Sequence, residues 1–227
     1  MITYISYKFN KIIEEFTQIL TENEINIFDS EQKISEHIIQ LLLNHLTNKL
    51  EPSSSFVSAP CPKCGKKHLA PMESFYQRNI IFKVSNLLIH LKIQIFRMKC
   101  SNCGSTHAVL PDFCIPFKRY SKQAIIEIAI EASETSTENI SEKLNIDPKQ
   151  IRRVVNIVKD ANNNILQLSK IYPTKLKNNI TIDSNLHTII QELPKDLEEL
   201  YFKEFRVIFL YKKIKRKIYI NFKKLSI

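Results

Sequence analysis

Glycine is almost missing from this chain of 227 residues: there are two, Gly65 and Gly104, and there is no tryptophan. Long apolar runs are missing too. A membrane span takes roughly 18–20 apolar residues, and a stretch such as Ile38 to Leu43 is short and broken by Gln40. Met1 to Asn10 has neither the basic n-region nor the apolar h-region of a secretory signal. Low-complexity tracts are absent as well. Together these absences argue against a membrane partner and an oxidising compartment, and they predict a globular chain of the cytoplasm, associated with the nucleoid if its partner is DNA.

Charge is unevenly spread. The formal net charge is +10, yet residues 1–60 hold 4 basic and 8 acidic side chains while residues 61–120 hold 10 and 2. The excess falls on the cysteine-bearing stretch and on the C-terminal segment. A basic module points to a polyanion, usually nucleic acid; a solvated basic face is the alternative.

Both glycines follow the second cysteine of a pair. Cys61 to His68 runs C-P-K-C-G-K-K-H and Cys100 to His107 runs C-S-N-C-G-S-T-H, one device written twice. A metal knuckle turns sharply after its second thiol, often through φ > 0, which glycine reaches without a Cβ clash. Two such turns can aim four thiolates at one point, the set that tetrahedral Zn²⁺ takes. Disulfides, a redox C-x-x-C and buried thiols are the competing readings, but a redox motif explains one pair and not its echo. Cys61, Cys64, Cys100 and Cys103 are therefore the expected ligands of a structural zinc ion. His68 and His107 could each replace a thiolate, but four cysteines fill the site, which leaves both histidines beside it or on the surface. Cys114 falls outside the pattern and is expected to be a small buried apolar residue.

The remaining elements follow from periodicity. Ile12, Ile13, Phe16, Ile19 and Leu20, then Ile34, Ile38, Leu41, Leu42 and Leu46, recur at helical spacing. The acidity of this segment argues against DNA contact and for packing or self-association into a homodimer, with His37 and His45 on its surface. Glu51 to Pro60 is a linker. The 35 residues between the knuckles exceed a compact double C-x₂-C site. They predict a long hairpin, Phe75 to Val84 and Leu88 to Lys99, turning at Ser85-Asn86. Leu91, Ile93 and Ile95 alternate with polar residues before the apolar phase jumps to Phe96 and Met98, which predicts a β-bulge near Ile95 or Phe96. Arg97 and Lys99 then share the opposite face, beside the metal. Pro111 and Pro116 make the stretch from Ala108 to Ser121 an extended strap. Within it Lys118, Arg119 and Tyr120 form a basic and aromatic cluster able to touch a phosphate.

Three helix starts follow. Ser121 caps a helix with Ile125, Ile126, Ile128, Ala129 and Ile130 on its apolar face. Thr135 and Glu138 form a capping box. Asp147, Pro148 and Gln150 give a cap, a first-position proline and an N3 glutamine. Asn145 suits a left-handed turn between the last two helices. A tight turn between short helices, the second bearing Lys149, Gln150, Arg152, Arg153 and Asn156 outward, predicts a helix-turn-helix on double-stranded DNA. Ile140, Leu144, Ile146, Ile151 and Val154 occupy its inward positions, and a plain helical bundle is the alternative.

The order of a C-x₂-C-G ribbon, a hairpin ending in Arg97-Met-Lys-Cys100, the stretch Thr106 to Phe113, the strap Pro116 to Ser121 and a helix-turn-helix resembles the N-terminal region of bacterial insertion-sequence transposases and a related family of uncharacterised zinc-ribbon proteins. The resemblance covers about residues 55–165 and leaves out the acidic N-terminal helices. It implies recognition of transposon-end DNA, with the four cysteines on zinc and the helix from Pro148 as reader. Such a transposase continues into an RNase H-like domain with three carboxylates on two Mg²⁺. Ile180 to Asp183 has the shape of its first strand, with Asp183 as candidate catalytic acid, and Phe205 to Tyr211 and Lys217 to Phe222 could be the next two. Only 44 residues follow Asp183, and Glu192, Asp196, Glu198, Glu199 and Glu204 come too early to complete the triad. The expected fold is α+β without catalysis: helices in 1–51, a linker in 52–60, the ribbon and strap in 61–120, a three-helix unit in 121–170 and a basic β segment in 171–227. A truncated or degenerate transposase, and a ribbon that binds proteins or regulates transcription, are the alternatives.

Overall fold

The computed structural model describes residues 3–4, 12–29, 32–50, 61, 63–111 and 113–171. The linker at 52–60 and the segment from 172 onward, with Asp183 and the two strands expected after it, lie outside the described residues. The elements in order are β1 (Thr3–Tyr4), α1 (Ile12–Glu22), α2 (Glu36–Leu50), β2 (Leu69–Val84), β3 (Leu87–Cys100), β4 (Thr106–Leu110), α3 (Lys122–Glu134), α4 (Thr137–Leu144) and α5 (Pro148–Ile171). The fold is α+β.

A long antiparallel ribbon of β2 and β3 is the spine, in a sheet ordered β1-β4-β3-β2. Its turn is Ser85-Asn86, as expected, with Ser85 at φ +51°. Asn86 ties the turn to the loop after α1, donating its backbone N–H to the Ile27 carbonyl at 3.0 Å and its side-chain amide to the Phe28 carbonyl at 2.8 Å. The strand β1 falls in a segment read as helical, and β4 claims the first residues of the expected strap. Thr106, His107 and Ala108 pair with Lys99, Met98 and Arg97.

The turn end of the ribbon is buried on both faces. Ile80, Phe82 and Val84 of β2 with Ile89, Leu91, Ile93 and Ile95 of β3 form one face, covered by Phe16 and Leu20 of α1 and Ile38, Leu42 and Leu46 of α2. Phe82 stands between Phe16 and Phe113, ring centroids 5.2 and 5.1 Å away. The apolar stripes of α1 and α2 are thus spent on the ribbon, and His45 stitches the two helices through Glu15 at 2.9 Å. Residues of opposite parity, Ile81, Lys83 and Leu88, belong to the other face, where α3 packs; Leu88 adjoins the core of α3 to α5, and buried Lys83 meets Glu131 of α3 at 2.8 Å. The strap closes the outer edge of β2: the Ile81 N–H donates to the Arg119 carbonyl and the Ser121 N–H to the Ile81 carbonyl, both at 2.8 Å. Pairing at Ile81 covers this point of the edge against another chain.

The phase jump in β3 has a cause other than the expected bulge. Beyond Ile95 the buried residues are Met98 and Cys100, which with Cys61, Leu69 and Val109 form a separate small core at the knuckle end. The two ends of one regular strand therefore bury opposite faces. The irregularity lies across from it: Pro71 pairs with Met98 and Phe75 with Phe96, so Met72 to Ser74 stand against Arg97 alone. β4 pairs without a break along residues 97–99 of β3, so the extra residues fall in β2, which has no further strand beside it among the described residues.

Caps set where the helices of the three-helix unit begin. Ser121 accepts the Ala124 N–H at 3.1 Å and Asp147 Oδ1 accepts the Lys149 N–H at 2.7 Å. The expected capping box of Thr135 and Glu138 does not form, and the cap of α4 lies one residue on. Thr135 closes α3, donating its N–H to the Glu131 carbonyl, and Ser136 caps α4 by accepting the Asn139 N–H at 3.1 Å. Ser136 at φ −69°, ψ 152° has the extended backbone of an N-cap and makes Asn139 the N3 residue; Glu138, freed from that role, faces Arg152. Asn145 is left-handed at φ 49°, ψ 50°. Ser141 supports the same turn, its hydroxyl donating to the Ile146 carbonyl at 2.7 Å. Asn145→Gly should leave stability unchanged or raise it, whereas Asn145→Val should cost about 1–2 kcal/mol, read as a fall in the urea midpoint at constant slope.

Candidate metal centre and nucleic-acid interface

Each knuckle is built by the same two backbone bonds. The Gly65 N–H donates to the Cys61 carbonyl at 2.7 Å and the Cys61 N–H to the Lys66 carbonyl at 2.8 Å; Gly104 to Cys100 at 2.8 Å and Cys100 to Ser105 at 2.9 Å repeat the pattern. Gly65 stands at φ +73° and Gly104 at φ +68°, and a Cβ at either would meet nothing within 4 Å. Glycine is needed there for the dihedral and not for space. The Ser101 N–H donates to the His68 carbonyl at 3.0 Å and joins the knuckles; the His68 side chain is exposed.

The four sulfurs of Cys61, Cys64, Cys100 and Cys103 lie within 4.8 Å of one another. Four thiolates at about 2.3 Å from one ion, at tetrahedral angles, stand about 3.8 Å apart. Cys61 Sγ is 3.7 Å from Cys103 Sγ, and Cys64 Sγ is 3.7 Å from Cys100 Sγ, so the set can hold a metal ion. Burial pushes the Cys61 thiol up to about 11, the Ser105 hydroxyl pulls Cys103 down to about 6, and the Lys66 backbone lowers Cys64. A bound cation deprotonates its thiols outright. His107, opposite Met98 in the sheet, is 1% exposed and places Nε2 3.3 Å from Cys61 Sγ. It sits behind a sulfur, outside the set of four. Cys114 is fully buried in the core beneath α1 and α2.

At the other end of the molecule, Ile140, Leu144, Ile151 and Val154 are buried between α4 and α5, with Ile146 packed beside them. Lys149, Gln150, Arg152, Arg153 and Asn156 are exposed along α5. Arg152 approaches Glu138 at 3.5 Å, both well exposed, an ion pair that water screens to little worth. Gln150 does not reach back to its cap; its Oε1 accepts the Tyr120 hydroxyl at 3.0 Å. Burial raises the Tyr120 pKa above its ordinary value. That bond brings the strap, with exposed Arg119 and half-buried Lys118, against the first turn of α5. Arg97 and Lys99 are elsewhere. Arg97 is half-buried and donates to Thr106 Oγ1 at 3.2 Å, and Lys99 is exposed. Cys100 lies ten positions along β3 from His90, the partner of Ile81 where the strap docks, a span of about 30 Å at the usual strand rise.

Sequence reasoning passed over two charged residues that hold these parts together. Arg78 donates to the carbonyls of Ile115 and Lys118 and clamps the strap to β2. Lys83, 4% exposed, lies between Glu131 and Glu127 at 2.8 and 3.7 Å. The signal was present: in Ile80-Ile-Phe-Lys-Val84 a lysine interrupts an otherwise apolar strand, and a buried lysine needs a carboxylate.

No helix among the described residues is long and apolar enough to cross a membrane. No curated protein and no solved structure matches the chain. Residues 61–153, from the first knuckle cysteine to the second turn of α5, are similar to a family described as a domain of unknown function, DUF6431.

Proposed function

We propose that this chain is a sequence-specific DNA-binding protein, without catalysis of its own, in which Zn²⁺ on Cys61, Cys64, Cys100 and Cys103 fixes the tip of the ribbon and α5 reads bases in the major groove. The observation that carries the reading is the α4-turn-α5 unit. Its apolar positions face inward and Asn145 makes the left-handed turn, while Lys149, Gln150, Arg152, Arg153 and Asn156 stand exposed from the first turn of α5 onward. Four soft, closely set thiols favour zinc over hard cations. The ribbon tip, about 30 Å along the strands from the strap, is suited to phosphates about one helical turn away, given that a turn of DNA is roughly 34–36 Å. Lys118 and Arg119 would reach the backbone beside α5. The likeness in element order to insertion-sequence transposases makes transposon-end DNA the first duplex to try. Self-association through α1 and α2 would have to use their outer faces, since their apolar stripes cover the ribbon.

The test is a titration of the full chain against a duplex selected from a random pool and a scrambled duplex, each at two salt concentrations. Losing a base contact costs roughly 1–3 kcal/mol and relaxes preference at one base pair, whereas losing a phosphate contact weakens all sequences alike. Gln150→Ala and Arg153→Ala should narrow the gap between the two duplexes. Arg97→Ala and Lys99→Ala should weaken both and flatten the salt dependence. Equal losses on both duplexes for the Gln150 and Arg153 variants would remove α5 as the reader.

A further inference from the structure

The strap carries an exposed aromatic residue in a backbone conformation that such residues rarely adopt. Ile115-Pro116-Phe117-Lys118 is a tight turn closed by the Lys118 N–H on the Ile115 carbonyl at 3.1 Å, and its third residue, Phe117, stands at φ +61°. Turns with proline second and a left-handed third residue take glycine or asparagine there, because a Cβ at positive φ is strained. Phe117 is held in that strained conformation and is 73% exposed, so burial of its ring does not offset the strain. Backbone strain of this kind gathers at binding sites, where the surroundings over-determine it. The surroundings here are rigid: Ile115 is fully buried, and Arg78 binds the carbonyls on either side of the turn. The turn also lies within the basic cluster. Lys118 and Arg119 follow Phe117 directly, and Tyr120 holds Gln150 at the start of α5.

Resting on the DNA-binding reading above, we infer that Phe117 is a wedge for duplex DNA, its ring entering a base step beside the sequence that α5 contacts, with Lys118 and Arg119 on the flanking phosphates. An apolar side chain presented on a stiff, basic turn is what partial unstacking of a base step requires, and any base offers the ring a π-face.

The strain makes the inference separable from a structural role. Phe117→Gly in the full chain should leave the melting temperature unchanged or raised, because glycine relieves the positive φ. It should weaken binding to the selected duplex by about ten-fold or more, in line with the loss of one base–aromatic stack. Phe117→Trp should bind like the wild type. With 2-aminopurine placed step by step along the flank, the wild type should change the fluorescence at one step and Phe117→Gly at none. If the wild type binds no duplex, the DNA-binding reading fails and this inference with it. If the wild type binds and Phe117→Gly binds equally well, the wedge alone is overturned. It is equally overturned if Phe117→Gly leaves DNA binding intact but dissociates an oligomer in sedimentation, since the ring then belongs to a contact with a second copy of the chain.

Discussion

Cys100→Ser is expected to abolish the binding of one zinc ion per chain and to unfold the knuckle end of the ribbon while the rest of the molecule stays folded. The division follows from where the cores lie. The knuckle core comprises Cys61, Leu69, Met98, Cys100 and Val109, two of them proposed metal ligands, with little apolar surface besides. The turn end is held by a larger core with α1 and α2, and α3 to α5 have their own. Zinc contributes roughly 10–16 kcal/mol to small structural modules, far more than three buried apolar side chains at about 1.5–3 kcal/mol each. Amide exchange should therefore speed up at Cys61, Gly65, Cys100 and Gly104, whose N–H groups make the knuckle bonds, and stay slow at Ile89, Leu91 and along α5. Metal analysis of the purified protein checks the stoichiometry; zinc retained in full by Cys100→Ser, or absent from the wild type, would remove the centre. Cys114→Ser should keep the metal, because Cys114 lies in the core beneath α1 and α2.

Removing both carboxylates from Lys83 is expected to cost about 3 kcal/mol or more, whereas removing the lysine itself should cost little. Lys83 enters α3 from the ribbon with 4% of its side chain exposed, against 31% for Glu127 and 23% for Glu131, and Glu131 also draws Lys143 to 3.6 Å. Stripping the partners from a buried charge costs roughly 3–5 kcal/mol, whereas removing Lys83 leaves behind carboxylates that are 31% and 23% exposed, Glu131 still beside Lys143. The partial exposure of both glutamates lets water reach the site, so the lower end applies to Glu127→Gln/Glu131→Gln. Lys83→Met should change stability by less than about 1.5 kcal/mol. Urea unfolding of the three variants decides the matter. A loss in Lys83→Met that equals or exceeds that of the double variant would mean that the pair stabilises the docking of α3 on the ribbon, and is more than a buried charge kept neutralised.

What could be read from the sequence was what neighbours in the chain decide. The knuckles are local: thiols three apart, a glycine for φ > 0, and the same device repeated. The helix caps at Ser121 and Asp147 and the left-handed Asn145 are local too, each fixed by residues within four positions. The cap of α4 was misplaced by one residue because Thr135 and Ser136 both have cap chemistry, and only the exit of α3 from its packed position selects between them. Face choice was not local. Whether Ile95 or Phe96 turns inward depends on α1 and α2 at one end of the ribbon and on the knuckle core at the other, elements tens of residues away in sequence. The same holds for Lys83, whose partners lie 44 and 48 residues on, and for Tyr120, which meets Gln150 30 residues later. A strand carries its period of two in its own side chains, but which side is inside is settled only when another element arrives to cover it.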